Sequence, residues 1–403
     1  MTDRRPFKGI KVLDVSRILA SPFTSSQLAF LGADVIKIED PGTGDAARYG
    51  HSANKELAKS GMSSNFLSQN ANKRSITLNM RTPEGQEIFR KLAEDADVII
   101  QNLRTGTMGR YGLGYEDLRG INPRIVYCSL TAYGAIGPKQ RHPAYDPVVQ
   151  AASGMMSING TPETVPMKVG PPVVDYATGL AAAFAIASAL YQRERTGEGQ
   201  HIDVSMLDTA LVLMGSLVTD VLTANAVPRA HGNTYVSTPT NAAFKTKEGL
   251  LYIAAMQDHH VQNLWRTLDR PDIPLDARFA TAELRSANFD LLRKEIEKSF
   301  LTRTATEWED LLNEASVPAM RVRTIPEALA EPYLKPRNLF RVFDEVPGVK
   351  GSVTVPLVPF RLSSCEARAD LPPPMLGAHT REILRSIGYS ASQLEGLREK
   401  HVI

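Results

Sequence analysis

One carboxylate is set apart by its position in VGPPVVDYATGL, residues 169–180. Asp175 falls where a proline-stiffened apolar run meets a predicted helix of small residues. Aspartate is a favoured helix N-cap, because its side chain accepts backbone N–H bonds of the first turn. A carboxylate at the positive end of a helix also stays ionised and can act as a nucleophile. The residue types alone predict either role, cap or nucleophile.

Other catalytic patterns find little support. The first predicted strand is followed by SRILASPFTSS rather than G-x-G-x-x-G, and the loop PGTGD after the second strand is weak evidence for a nicotinamide site. A G-x-S-x-G motif is absent, which disfavours serine hydrolase chemistry. The densest imidazole cluster, Asp258-His259-His260, is interpreted as a helix start rather than a ligand set. We predict no metal site and no permanently bound cofactor.

Composition limits the class of protein. A chain of 403 residues favours two domains, and 46 Lys plus Arg against 44 Asp plus Glu gives no basic excess for a nucleic-acid partner. Two distant cysteines, Cys128 and Cys365, fit a reducing cytoplasm. The longest apolar-looking segment, residues 180–191, is shorter than the roughly 20 residues that a membrane span needs. We therefore expect a buried helix there and a soluble, cytoplasmic protein without a membrane partner.

The elements that must position Asp175 alternate between strand and helix. Strands are predicted at 10–16, 34–40, 72–80, 97–103, 124–134 and 201–206. This alternation predicts an α/β fold with a mainly parallel sheet covered on both faces. Residues 52–70 are predicted to be irregular and exposed. The helix after Asp175 is expected to run to about Arg195, and residues 207–224 are predicted to form one long apolar helix.

The middle of the chain changes character. We divide it into a large domain at 1–225, a small α+β domain at 226–325 with a hairpin around Glu248-Gly249, and a return to the large domain at 326–403. The returning part is expected to contribute a strand in GSVTVPLVPFRLS and a pair of C-terminal helices.

Eight segments occur together and in order across nearly the whole chain, from about residue 6 to the C-terminus. They are residues 32–45, 72–85, 97–118, 122–134, 144–163, 169–180, 193–208 and 376–384. In this register they resemble the family III CoA-transferases, the group of the formyl-CoA and carnitine-CoA enzymes. The resemblance implies a large Rossmann-like domain, with a mainly parallel sheet, built from both chain ends, a smaller inserted α+β domain, and two ring-shaped subunits interlocked as a homodimer.

The resemblance also implies a reaction. Asp175 stands at the position of the family's catalytic aspartate, which attacks the thioester of an acyl-CoA substrate and passes CoA to a carboxylic acid. The positions that match the family's CoA-contacting segments are Arg17, Leu19, Ala20, Leu78, Arg81, Asn102, Leu103, Arg104, Arg110 and Tyr145. Arginine side chains suit phosphate oxygens because their N–H groups bind them in pairs.

Tyr145 bears on the type of reaction, and two departures from the formyl-CoA enzymes bear on the substrate. Tyr145 stands where the related racemases carry a histidine, which favours transferase over racemase; its hydroxyl orients a substrate, or the ring is a buried aromatic with one hydrogen bond. Leu19 replaces a polar side chain of the formyl-CoA enzymes, and segment 231–244 lacks their glycine run, for which Gly232 offers a shorter version. We expect a larger, partly apolar acid pair, with succinyl-CoA as donor to a dicarboxylate or a branched acid. An acyl-CoA racemase and a non-catalytic CoA-binding protein remain the alternatives.

Overall fold

A computed structural model describes residues 3–235 and 238–403. The chain forms two compact units. The first contains the chain up to Ser153, Val169–Leu222 and Lys335–Ile403, so it is built from both ends of the chain. The second contains Gly154–Lys168 and Thr223–Leu334, so residues 154–168 group with it in addition to the predicted 226–325 segment.

The elements are numbered in chain order. The strands are β1 Lys11–Asp14, β2 Asp34–Glu39, β3 Lys73–Thr77, β4 Val98–Gln101, β5 Val126–Thr131, β6 His201–Ser205, β7 Thr234–Tyr235, β8 Thr238–Lys245, β9 Leu250–Ala254, β10 Ala319–Arg321, β11 Phe340–Phe343 and β12 Val353–Pro356. The helices are α1 Ala20–Phe30, α2 Lys55–Lys59, α3 Ser64–Asn70, α4 Pro83–Glu94, α5 Thr107–Arg110, α6 Tyr115–Arg119, α7 Asp146–Ala152, α8 Met155–Ile158, α9 Val173–Thr196, α10 Met206–Leu213, α11 Gly215–Ala224, α12 Asp258–Thr267, α13 Ala282–Ala287, α14 Phe289–Phe300, α15 Ala305–Glu314, α16 Ile325–Ala330, α17 Thr380–Ser386 and α18 Ala391–Glu399.

A six-stranded parallel sheet forms the centre of the first unit, in the order β3-β2-β1-β4-β5-β6. All four residues of the central strand β4, VIIQ, are buried, as is typical of a sheet covered on both faces. The strand order reverses between β1 and β4, and open sheets of this kind bind ligands in the crevice at that point.

The predicted C-terminal strand is confirmed as β12, which lies in the first unit. All six strands of the parallel sheet come from residues 11–205, whereas β12 pairs only with β11 in a separate antiparallel sheet. The C-terminal part instead adds α17 and α18, whose Ile383, Leu384 and Leu394 side chains join the apolar core that surrounds α4.

Two further predictions are wrong. Residues 52–70 are not irregular and exposed: α2 and α3 form there, Ser63 caps α3, and Phe66 is fully buried under the Arg48 guanidinium at 3.8 Å. The expected single helix over 207–224 is instead α10 and α11, which are bent by 80°. Met214 separates the two helices and Gly215 opens the second, and glycine weakens a helix at such a point.

The second unit contains an antiparallel sheet in the order β10-β9-β8-β7. The hairpin predicted around Glu248-Gly249 is confirmed as β8 and β9, with Gly249 at φ 86° in the turn. Asp258 begins α12, in agreement with a helix start. No group of three or more His, Cys, Asp or Glu among the described residues could hold a metal ion. The segment expected to replace the glycine run includes Val236 and Ser237, which lie outside the described residues.

Helix α9 is only partly buried, in contrast to the predicted buried helix. It is 24 residues long and ends at Gly197, which adopts the left-handed conformation with φ 80°. By length and composition α9 could cross a membrane, although core helices of soluble proteins are often as long and as apolar. Helices α10 and α11, taken as one bent span, are also long and apolar enough. Phe184 and Tyr191 are 77% and 69% exposed. The helix thus carries an apolar face that its own unit leaves uncovered.

Candidate active site

A pocket of about 420 Å³ opens at the carboxyl ends of β1, β4 and β5 in the first unit. Its lining comes from residues 17–20, 102–105 and 130–132, which lie at or shortly after the ends of these strands, and from residues 140–145. Asp175 completes the lining from the first turn of α9. The pocket therefore occupies the crevice where the strand order reverses, the place that open parallel sheets offer to ligands.

Asp175 is not the cap of its helix. The N–H groups of Val174 and Asp175 donate to Oδ2 of Asp146, at 2.7 and 3.1 Å. Neither carboxylate oxygen of Asp175 accepts a hydrogen bond from any residue that the structure describes. The capping role belongs to Asp146, which leaves the side chain of Asp175 available in the pocket.

The protonation of Asp175 differs from the sequence-based expectation. Burial raises the pKa of this carboxyl to about 7, and the negative charge of Asp146 raises the pKa further in the same direction. The N-terminal end of α9 does not keep the group ionised at low pH, because its first N–H groups already bind another carboxylate. Asp175 is thus a carboxylate above neutral pH and a neutral acid below it.

Asp146 was not found by sequence reasoning. It is the first residue of α7 and is only 3% exposed. Its Oδ1 accepts a hydrogen bond from Nε2 of Gln150 at 2.6 Å. Oε1 of Gln150 in turn accepts a hydrogen bond from the N–H of Val169 at 2.8 Å. The sequence signal was the pair Asp146-Pro147, an acid and a proline at a helix start, but its partner lies 29 positions along the chain.

The turn between β1 and α1 is held in a strained conformation. Ile18 has φ 72°, which is rare for a β-branched residue and marks a constrained site. Its N–H donates to Oδ1 of Asp45 at 3.0 Å. The side chain of Asn102 accepts from the N–H of Arg17 at 2.9 Å and donates to its carbonyl at 2.7 Å. Lys37 donates to the carbonyl of Ser16 at 2.9 Å.

Buried charges surround this turn. The ammonium group of Lys37 pairs with Asp45 at 3.0 Å, and that of Lys73 pairs with Asp14 at 3.0 Å. Burial opposes the ionisation of Asp14, but the two lysines outweigh it and hold its pKa at about 2. Because each buried carboxylate has a cationic partner, both stay charged in the interior. The polar residues under the pocket thus form fixed ion pairs.

The start of α1 is open, in contrast to that of α9. Leu19 is the N-cap residue and offers no side-chain cap. The N–H groups of Leu19 and Ala20 donate to no acceptor among the described residues, and both residues line the pocket. Unpaired N–H groups at a helix N-terminus bind anions.

Most of the predicted site residues come together. The pocket is lined by Asp175 with Arg17, Leu19, Ala20, Asn102, Leu103, Arg104 and Tyr145. A neighbouring pocket of about 180 Å³ shares three of them and adds Arg81 and Asp40. Tyr145 is 66% exposed, so it is not a buried aromatic.

Two predicted residues line neither pocket. Leu78 is fully buried in the core around α4. Arg110 is exposed, and its Nη2 donates to Oγ1 of Thr107 at 3.0 Å. Gln140 and Arg141 also line the larger pocket, and sequence reasoning did not assign them. The Gln140 carbonyl accepts a hydrogen bond from Oγ1 of Thr105 at 2.7 Å, which holds the loop around residue 140 beside the pocket.

The arginines around the pockets fall into two kinds. Arg17 lies 2.6 Å from Asp40, and Arg81 lies 3.6 Å from the same carboxylate. Arg104 and Arg141 form no ion pair within the part of the chain that the structure describes. These two side chains are available to an anionic ligand.

The fold and the pocket are typical of an α/β enzyme that binds an anionic, nucleotide-containing ligand beside a reactive carboxylate. The chain matches CoA-transferase family III over residues 7–380, and it belongs to that family. It is therefore a CoA-transferase, and the predicted family is confirmed.

Characterised relatives resemble the chain along most of its length. It is 34% identical over 385 residues to succinyl-CoA:glutarate CoA-transferase of Mus musculus, covering 95% of this chain and 86% of that protein. It is 36% identical over 336 residues to acetyl-CoA:oxalate CoA-transferase of Acetobacter aceti, covering 83% and 85%. Among solved structures, Rv3272 of Mycobacterium tuberculosis superposes with a TM-score of 0.84 at 34% identity, over 94% of this chain and 99% of that one.

Proposed function

We propose that the protein moves CoA from an acyl-CoA, with succinyl-CoA as the donor, to a dicarboxylic acid through covalent intermediates on Asp175. The observation that carries this proposal is the Asp175 carboxylate itself. It lines the pocket and accepts no hydrogen bond from the described residues. Asp146, and not Asp175, caps the start of α9. A carboxylate placed in this way can attack a thioester.

The proposed reaction begins when a carboxylate oxygen of Asp175 adds to the thioester carbonyl carbon. The C–S bond breaks, CoA leaves as its thiolate, and an acyl-aspartyl anhydride remains. The thiolate then attacks the aspartyl carbonyl carbon, which releases the donor acid and leaves an aspartyl-CoA thioester. The acceptor carboxylate attacks that thioester to form a second anhydride and free thiolate. The thiolate finally attacks the new acyl carbon, which gives the product acyl-CoA and restores Asp175.

Each addition creates an oxyanion that needs hydrogen-bond donors. The first turn of α9 cannot supply them, because Asp146 already accepts from Val174 and Asp175. We assign this role to the N–H groups of Leu19 and Ala20, which are open at the start of α1. One such donor typically contributes about 3–4 kcal/mol to transition-state stabilisation.

The proposed acceptor is a dicarboxylate. Relatives named for glutarate and for oxalate both use dicarboxylic acids. The pocket offers Arg104 and Arg141, which have no ion-pair partner among the described residues, and a guanidinium binds a carboxylate or a phosphate with paired hydrogen bonds. CoA phosphates and the second carboxylate are the anions that these side chains would receive.

We further propose a homodimer that works in the cytoplasm. Helices α9 and α10 expose several large apolar side chains, among them Phe184, Tyr191 and Val212, and clustered apolar exposure marks interaction sites. A second copy of the chain is the proposed cover. The free thiols Cys128 and Cys365 fit a reducing compartment. Light scattering of the 44.1 kDa chain should give twice that mass, and Phe184→Asp should reduce it.

The test is a screen of acyl-CoA donors against acids, in which mass spectrometry detects new thioesters. The wild-type protein should convert succinyl-CoA and a dicarboxylate into succinate and the dicarboxylyl-CoA. Asp175→Ala should lower this exchange by at least about 10³-fold, because the covalent route is removed. The control is Asp310→Ala, which removes an exposed carboxylate of α15. Full exchange by Asp175→Ala would contradict the proposal, and α-deuterium uptake without any acceptor would favour a racemase.

A further inference from the structure

We propose that Asp146 is a positioning residue for the nucleophile: it caps α9 in place of Asp175 and thereby keeps the Asp175 carboxylate unbound in the pocket. The inference deepens the proposed function and rests on it for its catalytic meaning. Its geometric basis is that Oδ2 of Asp146 accepts two hydrogen bonds, from the consecutive N–H groups of Val174 and Asp175.

An aspartate near the start of a helix normally turns back to bind the free N–H groups of the first turn. A carboxylate that does so is partly neutralised and is a poorer nucleophile. In this protein the N–H groups of Val174 and Asp175 are already taken, so the Asp175 side chain gains nothing by turning back.

Asp146 is itself held firmly. It is the first residue of α7, is 3% exposed, and accepts from Gln150 through its other oxygen. Gln150 accepts in turn from the N–H of Val169 in the segment that leads to α9. The start of α7 and the approach to α9 are therefore joined through one carboxylate and one amide.

The charge of Asp146 also acts on Asp175. Burial first, and this neighbouring charge second, raise the pKa of Asp175. Tyr176, which follows Asp175 on α9, also interacts with its charge. The other ionisable side chains that line the same pocket are Arg17, Arg104, Arg141, His142 and Tyr145. α1 and α10 present Phe23 and Met206 on this side, neither of which titrates.

The test compares two substitutions of Asp146. Asp146→Asn keeps a capping oxygen and removes the charge, so the midpoint of the acidic limb of kcat against pH should move about one unit lower. Asp146→Ala also removes the cap, so kcat at pH 8 should fall about 10–100-fold, with a smaller change in KM. Asp117→Asn is the control, because Asp117 accepts the N–H of Gly114 at the exposed start of α6.

An unchanged kcat at pH 8 in a folded Asp146→Ala variant would overturn the inference. If that variant fails to fold, an unmoved midpoint in Asp146→Asn would overturn it. A second readout is independent of transfer activity. Carbodiimide labelling at neutral pH favours a protonated carboxyl, so mass mapping should show less label on the Asp175 peptide of Asp146→Asn than on that of the wild type. Equal labelling would also count against the inference. Absence of exchange in the wild-type protein, with a reduced label in the variant, would reject the proposed function alone.

Discussion

Two sets of charged side chains surround the same pocket and differ in what they contact. Under the pocket, Lys37 and Asp45 are buried, paired with each other, and bonded to the backbone of the turn at Ile18. On the pocket surface, Arg104 and Asp175 form no ion pair or side-chain hydrogen bond within the described residues. Charge under the pocket therefore shapes the backbone before a ligand arrives, whereas charge on the pocket surface is left for the ligand.

The largest effect on stability is expected under the pocket. Lys37→Met leaves the Asp45 carboxylate buried without its cation, so the free energy of unfolding should fall by about 3–5 kcal/mol. Denaturant titration measures this loss. Lys59→Met is the control, because the Lys59–Glu56 pair is exposed and should contribute less than about 1 kcal/mol. Similar losses in both variants would remove the distinction between buried and exposed charges.

The next effect concerns the crossing of α1 and α9, which brings the open helix start near the nucleophile. A Cβ at Gly179 would lie 2.7 Å from the Ala20 carbonyl oxygen, so Gly179→Ala should destabilise the fold by about 1–3 kcal/mol. Gly396→Ala in α18 is the matched control, since a Cβ there meets nothing within 4 Å. That variant should gain about 0.5–1 kcal/mol from helix propensity. Equal changes in the melting temperature of the two variants would contradict the close packing.

The third prediction uses the raised pKa of Asp175. The folded protein binds this proton up to about pH 7, whereas the unfolded chain releases it near 3.8, so stability declines as pH rises between these values. Asp175→Asn does not titrate. Its advantage over the wild type should therefore appear across this window and reach on the order of 1–3 kcal/mol at pH 8, allowing for partial exposure. Parallel stability curves for the two proteins would argue against the raised pKa.

The smallest effect on stability is expected on the pocket surface. Arg104→Gln and Arg141→Gln should change the free energy of unfolding by less than about 0.5 kcal/mol, since these side chains are exposed. The KM for the acyl-CoA or the acid should rise about 10-fold or more, as a charge-assisted hydrogen bond is lost. A variant with lower stability and unchanged KM would place that arginine in the structural set instead.

The sequence was sufficient for features with local signals. The six strands of the parallel sheet, the β8–β9 hairpin and the helix that starts before Asp175 all follow from apolar periodicity, glycines and prolines. The pocket residues after β1 and β4 followed from the family resemblance and from the rule that ligands bind at strand ends.

The missed features depend on tertiary contacts. Lys37 lies within VIKIE, where alternation suggests a solvated lysine, yet it is fully buried because Asp45 and the Ser16 carbonyl meet it there. Asp146 caps a helix that begins 27 residues further along, which no local pattern reveals. Residues 52–70 were misread because Phe66 is buried by partners distant in sequence, among them Val353 and Val355 of β12.

The central claim is that Asp175 becomes acylated during turnover, and mass mapping tests it most directly. Wild-type protein mixed with succinyl-CoA and quenched in acid should carry the added mass of a succinyl or CoA group on the peptide that contains Asp175. Hydroxylamine should remove that mass, and Asp175→Asn should not acquire it. Continued CoA exchange with no added mass on this peptide, under quenching fast enough to trap intermediates, would contradict the account.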